Sequence, residues 1–377
     1  MKLLHLADTH LGYSAYNKLD PDTGLNQREV DVYNAFKQFV DYAIDIKPDL
    51  VLHAGDLFDS VRPSNRAISV GMEQILRLSR ASIPIVIIAG NHETPRLRET
   101  GSVFRLFEHL DNVFPVYKSQ YEKITFNDLE LAVHAIPHCF DNEMLEGSLK
   151  ELKADESFKY NIGMLHGAVT GVGPFRSSEF NEQEIRSGYL KKDFYYIALG
   201  HYHEMTKVEM NTYYCGSTER FTFLEANPQP KGFLQLELGS EVAEPEFVKL
   251  PVRDMLDLEP INFDNIGSQE VMEVIEQKIV ESVPENKIVR VKVQNIPSYI
   301  YHNLDFNKLK KLTSEALHFE IRYEVIKDDQ AIVATGAKFE ALSKEYKGFL
   351  EKFAIEGLNK KKVRELGIKY LMNVGAE

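Results

Sequence analysis

Apolar residues along this chain fall first in short runs that alternate with longer amphipathic stretches. Lys2 to Ala7 reads as a strand and Arg28 to Ile46 as an amphipathic helix. Leu50 to Ala54 is the next strand, and Ser64 to Arg80 the next helix. Ile85 to Ala89 is apolar throughout and rich in β-branched residues, which suits a strand covered on both faces. This spacing predicts βαβ crossovers and a largely parallel sheet. Beyond Phe114 the strands crowd together: Ile124–Phe126, Leu129–His134, Ile162–His166, Tyr196–Gly200, Val208–Glu209, Tyr213–Gly216 and Phe233–Leu238, with one helix over Asn142 to Lys153. That density predicts a second sheet packed on the first, an α/β/β/α sandwich. Short helical stretches also include Ser102 to Leu110.

Leu256 to Pro260 reads as a junction. After it come a helix (Val271 to Val280), a strand (Ile288 to Val293), a helix (Leu304 to Leu317) and a strand (Phe319 to Ile326), a small α+β unit. From Lys338 to Gly375 the pattern is helical, with a break near Gly357 to Asn359. The expected organisation is a domain over 1–255, a second over 256–335 and a helical segment over 336–377. That last segment repeats an apolar face, Phe339, Leu342, Tyr346, Phe349, Leu350 and Phe353, then Val363, Leu366 and Tyr370. Too few residues surround it to bury that face internally, so partner docking is favoured over a helix folded back on the preceding unit.

Length and charge narrow the function. The 377 residues suit two or three domains, and 44% hydrophobic with 27% charged is ordinary for a globular protein. A net charge of −13 argues against a surface that is basic throughout, although a local phosphate site is not excluded. Basic residues concentrate in 336–377, which carries nine basic and six acidic side chains. Two cysteines, Cys139 and Cys215, are too few for a disulfide framework and fit a reducing compartment. Asp8 interrupts the apolar start, so no signal peptide is expected, and no stretch approaches the roughly 18 apolar residues of a membrane span. Cytosol is the expected setting.

The chemistry sits at strand ends. Asp8-Thr9-His10 ends the first strand, Gly55-Asp56 the second and Gly90-Asn91-His92-Glu93 the third. His166-Gly167 and Gly200-His201-Tyr202-His203 end two later ones. Residues i and i+2 of an extended chain face one way, so Asp8 and His10 can share an ion. Sites in α/β sheets form beyond the carboxyl ends of strands. A lone D-x-H or G-D is common in ordinary turns, but all five motifs in this order after apolar strands are not. Mixed oxygen and nitrogen ligands without cysteine suit Mn²⁺, Fe²⁺ or Zn²⁺ better than Ca²⁺. Two such ions could clamp a phosphodiester and activate water, with activity falling as pH drops. The other histidines, including His5, His109, His134, His138, His302 and His318, read as structural or surface residues. His53 lies near enough in sequence to support the site.

The order D-x-H, G-D, G-N-H-[DE], H-G, G-H-x-H resembles the calcineurin-like metallophosphoesterases. The stretches LLHLADTHLGYSAYN, VLHAGDLFDSVRPS, IAGNHETPR, YYIALGHYH and YYCGSTER are similar to the meiotic-recombination-eleven nuclease family, called SbcD in bacteria, and most to its archaeal members. The resemblance covers at least residues 1–225. It implies a four-layer α/β/β/α metallophosphoesterase sandwich, a small α+β capping domain that helps bind DNA and a C-terminal helical segment. It implies two Mn²⁺ ions per subunit, with Mg²⁺ or Fe²⁺ as substitutes. One would be held at Asp8, His10, Asp56 and His203, the other at Asp56, Asn91, His166 and His201. His92 would be the catalytic histidine and no ligand.

Many members carry a second functional histidine where this chain has Asp59, which bears on strand preference and exonuclease activity. Glu93 replaces a commoner Asp and is expected to support the site. Tyr13, Tyr16, Asn17 and Lys18 on the first loop, and Arg62, are candidate contacts to a sugar–phosphate backbone. The implied function is an endonuclease and 3′–5′ exonuclease subunit acting on DNA double-strand breaks in the prokaryotic cytoplasm, at the nucleoid. The implied partners are DNA ends, a second copy of the chain and an SMC-like ABC ATPase with a long coiled coil. The family dimerises through helices at 64–80 and 102–110, so a homodimer is expected; most of the apolar groups there, Ile68, Met72, Ile75, Leu76, Val103, Phe104, Leu106 and Phe107, are expected to pack on the sheet. Two alternatives are another metallophosphoesterase, such as a protein phosphatase or nucleotide phosphodiesterase, and a non-catalytic DNA-end scaffold. Ser60 stands where protein phosphatases carry Arg, and the intact ligand set disfavours a scaffold alone.

Overall fold

Each early strand alternates its apolar side chains between two cores. Leu4 and Leu6 of β1 (Lys2–Leu6), Val51 of β2 (Leu50–His53) and Ile85 and Ile87 of β3 (Ile85–Ile88) pack with Phe36 and Phe39 of α1 (Gln27–Ile46) and Ile75 and Leu78 of α2 (Asn65–Arg80). Leu3, Leu50, Leu52, Val86 and Ile88 face the other way, as the two-residue period of a strand demands. They meet Leu131 and Val133 of β6 (Leu131–Ile136), Ile162 and Met164 of β7 (Tyr160–His166) and Ala198 of β10 (Tyr196–Gly200). The far face of these strands, Leu165, Ile197 and Leu199, packs on Leu145 and Leu149 of α3 (Asn142–Glu151). Three cores thus separate four layers, in the order helices, sheet, sheet, helix.

The computed structural model describes residues 1–95, 101–172, 182–190, 193–239, 244–263, 270–326, 346, 350 and 360–374. The chain divides into two units. The first is Met1–Asp257 with Ser282–Arg290 and Thr313–Phe319. In it β1, β2, β3 and β4 (Val113–Val116) are parallel, and β13 (Gly232–Glu237) and β14 (Glu246–Lys249) add antiparallel strands beside β1. The second sheet runs β11 (Thr206–Glu209), β12 (Thr212–Tyr214), β10, β7, β6, β5 (Glu122–Phe126), while β8 (Ala168–Val169) and β9 (Glu184–Ile185) pair only with each other. The edge strand β14 was not foreseen, because its half-exposed pattern has no apolar run. The segment 102–110 forms only a 3₁₀ turn at Val103–Phe107.

The second unit takes Leu258–Glu281, Val291–Leu312 and the chain from Glu320. Ile261 pairs in parallel with Val293, and the helix Val271–Glu281 buries Val271, Ile275 and Ile279. The helix expected over 304–317 spans only Phe306–Leu312. The chain beyond it is drawn into the first unit, where Leu317 donates its amide to the Lys287 carbonyl. Phe339, Leu342, Phe349 and Phe353 lie outside the described residues. Leu350 is 5% exposed, and the Tyr346 hydroxyl donates to the Val363 carbonyl of the helix Lys360–Val374. Leu366 and Tyr370 on that helix are exposed. No helix among the described residues is long and apolar enough to cross a membrane.

Two histidines sit wholly inside the first unit. His5 Nδ1 pairs with the Tyr196 hydroxyl, and His53 Nε2 with the Thr9 hydroxyl. Burial pushes both imidazoles down to about 3. The unfolded chain therefore binds more protons than the folded one between pH 3 and pH 6.5, and stability is lost as pH falls through that window. From pH 6.5 to pH 5 the pair should remove about 3 kcal/mol. Urea midpoints across that range check it; a flat profile would count against neutral burial.

Candidate metal centre

The loops after β1 and β2 are zipped together by main-chain bonds. Asp8 N donates to Gly55 O at 3.0 Å, His10 N to Asp56 O at 3.0 Å and Leu11 N to Leu57 O at 2.8 Å. D-x-H and G-D are thereby fixed against each other. The route differs from a simple extended strand end. Asp8 (φ 52°), His10 (φ 47°) and Asp56 (φ 54°) are all left-handed, and so is His201 (φ 107°). Such backbone costs an L-residue about 1 kcal/mol or more and clusters at functional sites. Thr9 between them turns away, its hydroxyl held by His53 and by the Leu57 carbonyl.

Five strand ends converge. The ligand atoms of Asp8, His10 and His203 lie within 4.8 Å of one another, as do those of Asp8, Asp56 and His166 and those of His10, Asp59 and His92. His166 Nε2 is 3.3 Å from Asp56 Oδ2 and 2.9 Å from Asn91 Oδ1, and His201 Nδ1 is 3.2 Å from the same Asn91 oxygen. Both oxygens of Asp8 accept from the His201 amide at 3.0 and 3.1 Å.

The outer ring nitrogens decide what the centre can hold. His166 Nδ1 faces the Ala54 carbonyl at 2.8 Å, His201 Nε2 faces Glu182 at 3.1 Å and His203 Nδ1 faces Glu225 at 3.1 Å. Each acceptor can take a ring N–H on the outer side, which leaves the inner nitrogen free to ligate a cation when one is bound. His203 Nε2 then meets His10 Nε2 at 3.2 Å, nitrogen to nitrogen. Imidazole nitrogens, carboxylates and an amide oxygen converge there, and a bound cation would satisfy them together. The donor set fits a divalent cation of the Mn²⁺, Fe²⁺ or Zn²⁺ kind. The electrostatics agree. Burial opposes charge on His166, yet Asp56 raises its imidazole to about 9. Burial likewise favours a neutral Asp56, but His166 beside it holds its carboxyl well below the usual range.

The tight fit explains the glycines. A Cβ at Gly90 would run into the Asp56 side chain and stand 2.6 Å from the Asp56 amide nitrogen. Glu93, fully buried, accepts from the Phe58 amide at 2.6 Å and the Gly90 amide at 2.8 Å, stapling the second loop to the third. Burial, with the Asp56 charge nearby, pushes its carboxyl up to about 8. His92 donates its amide to Asp56 Oδ1 at 3.0 Å, and its Nδ1 lies 3.0 Å from the Asp59 carbonyl. Its ring stands edge-on to that of His10.

The remaining candidates scatter. The Tyr13 hydroxyl donates to the Phe221 carbonyl, and the Tyr16 ring stacks on His318 at 4.1 Å, so both rings are engaged within the first unit. Lys18 donates to the Ala316 carbonyl; Asn17 and Arg62 are exposed. Arg62 lines a cleft of about 700 Å³ with Val61, Ile68, Val103 and Leu106, outside the ligand cluster. Sequence reasoning missed Glu182, Glu225 and Lys231. Lys231 is 1% exposed and donates to the His203 carbonyl, to Ser217 and to Glu225. Burial works against the Glu225 charge, but His203 and Lys231 hold that carboxyl far below the usual range. The Phe221 ring closes one wall, edge-on to His10 and His203.

Comparison with known proteins agrees with this geometry. The family model for calcineurin-like phosphoesterase matches residues 1–205. The DNA double-strand break repair protein Mre11 of Methanococcus maripaludis is 32% identical over 247 residues, 63% of this chain and 63% of that protein. This chain therefore matches less than two thirds of the length of that relative. The Mre11 protein of Methanocaldococcus jannaschii is 30% identical over 68% of this chain and 69% of its own. That of Sulfolobus acidocaldarius is 28% identical over 85% and 82%. The chain belongs to the calcineurin-like phosphoesterase family and, within it, to the Mre11 branch of archaeal type.

Proposed function

We propose that this chain is a two-metal DNA phosphodiesterase, the nuclease subunit of a machine that processes double-strand breaks. The observation that carries the reading is the convergence of ligand oxygens and nitrogens from Asp8, His10, Asp56, Asn91, His166, His201 and His203. We assign Asp8, His10 and His203 to one ion and Asn91, His166 and His201 to the other, with Asp56 shared. Mn²⁺ is the proposed metal. When bound, two such ions would neutralise a phosphodiester and supply an activated water. The protein's own part is positioning. Asp56 Oδ1 holds the His92 amide, and the Asp59 carbonyl orients the His92 ring. From there His92 acts as the catalytic residue, donating to the oxygen that leaves.

The same reading extends to assembly. Ile68, Met72 and Leu76 form a half-exposed stripe on α2 beside Leu106, which is 47% exposed. That face is the proposed homodimer contact. Residues 256–335 are the proposed DNA-binding cap, and 336–377 the proposed docking segment for an SMC-like ABC ATPase at the nucleoid. Endonuclease and 3′–5′ exonuclease activities belong to the proposal.

The test is Mn²⁺ with labelled single- and double-stranded DNA ends, beside His92→Ala. Wild type should cut, and the variant should lose about 100-fold or more in rate while keeping its metal. No cleavage of any DNA, with hydrolysis of a phosphoprotein or a cyclic nucleotide instead, would overturn the assignment.

A further inference from the structure

Three histidines of the cluster have an acceptor on the nitrogen turned away from it, at 2.8–3.1 Å. His10 is the exception. Its Nε2 points to His203, while its Nδ1 is buried and makes no hydrogen bond among the described residues. Asp59 Oδ1 lies 3.3 Å from that nitrogen. Asp59 is one third exposed, sits on the loop zipped to His10, and donates its own amide to the Leu11 carbonyl at 3.1 Å. Its main-chain carbonyl faces His92. We propose that Asp59 is a positioning residue: its carboxylate accepts the Nδ1–H of His10 and so holds Nε2 toward the first ion. This rests on the metal-centre reading above. At 3.3 Å the two atoms are within hydrogen-bond reach once the ring N–H is aligned, and the first ion would then have a carboxylate behind each of its two histidines, Asp59 and Glu225. The second ion has Glu182 and a carbonyl in the same places. Carboxylate–histidine–metal pairs fix ring orientation and raise ligand basicity, and their loss costs 10–100-fold in metal affinity.

The experiment is Mn²⁺ titration of the full chain by calorimetry, with electron paramagnetic resonance to count coupled ions. Wild type, Asp59→Ala, Asp59→Asn and Glu182→Ala are compared, with thermal melts to confirm folding. Wild type should bind two ions. Asp59→Ala should weaken one of them roughly 10–100-fold and leave the other within twofold. Asp59→Asn keeps an acceptor oxygen and should recover most of the loss. Glu182→Ala should weaken the other ion, so that the two alanine variants together are worse than either. Unchanged binding in Asp59→Ala overturns the positioning role. Equal loss in Asp59→Ala and Asp59→Asn overturns it too, because an acceptor for the His10 Nδ1–H would be restored by the asparagine oxygen. A wild type that binds no Mn²⁺ refutes the metal-centre reading itself.

Discussion

An Asp56→Asn protein should fold and fail to cut. Asparagine keeps the shape that Gly90 is there to admit, and its oxygen can still accept the His92 amide. What it removes is the charge both proposed ions share. Loss of one preorganised electrostatic contact costs about 10²–10³ in rate, and this change weakens two at once, so a drop on the order of 10⁴-fold is expected. Single-turnover cleavage of a labelled DNA end at saturating Mn²⁺ measures it. Residual activity within tenfold of wild type would mean that Asp56 bridges nothing.

The second large effect falls on stability. Glu225→Ala would leave Lys231 inside the protein without its carboxylate, and His203 without the group that orients it. Removing one partner of a buried ion pair costs about 3–5 kcal/mol. Urea unfolding should show that loss in Glu225→Ala. The double change Glu225→Leu with Lys231→Met removes both charges and should restore most of it, since apolar replacements of such pairs are near neutral. Metal binding should not return with stability, because His203 still lacks its acceptor. A single variant within 1 kcal/mol of wild type, on the scale of an exposed pair, would refute the role given to Glu225.

Much of this fold is legible in the sequence. Leu3 and Leu4, or Ile85 and Val86, are apolar on consecutive positions, which only a strand covered on both sides tolerates. The polar residues that end such strands stand out because they cannot stay in the core. The groups behind them do not. Glu182 and Glu225 reach His201 and His203 from 19 residues before and 22 residues after, with no fixed spacing. Glu225 is further disguised, because Thr222 to Glu225 spells a capping box and forms one. Tyr13 and Tyr16 looked available on a loop. Their partners, Phe221 and His318, lie hundreds of residues on, where no local pattern could point.

The path of the chain through its first unit has a consequence for how the protein is made. Ser282–Arg290 and Thr313–Phe319 belong with Met1–Asp257. Met255, Ile288 and Leu317 form one cluster against Tyr16 and Phe223. On a ribosome adding roughly 5–20 residues per second, the catalytic half therefore waits several seconds with that seam open after Asp257 has emerged. A stop codon placed at the apparent sequence boundary would make the wait permanent. Genetic dissection of this protein should cut after Phe319, with the intervening stretch kept, if the released half is to be a finished enzyme.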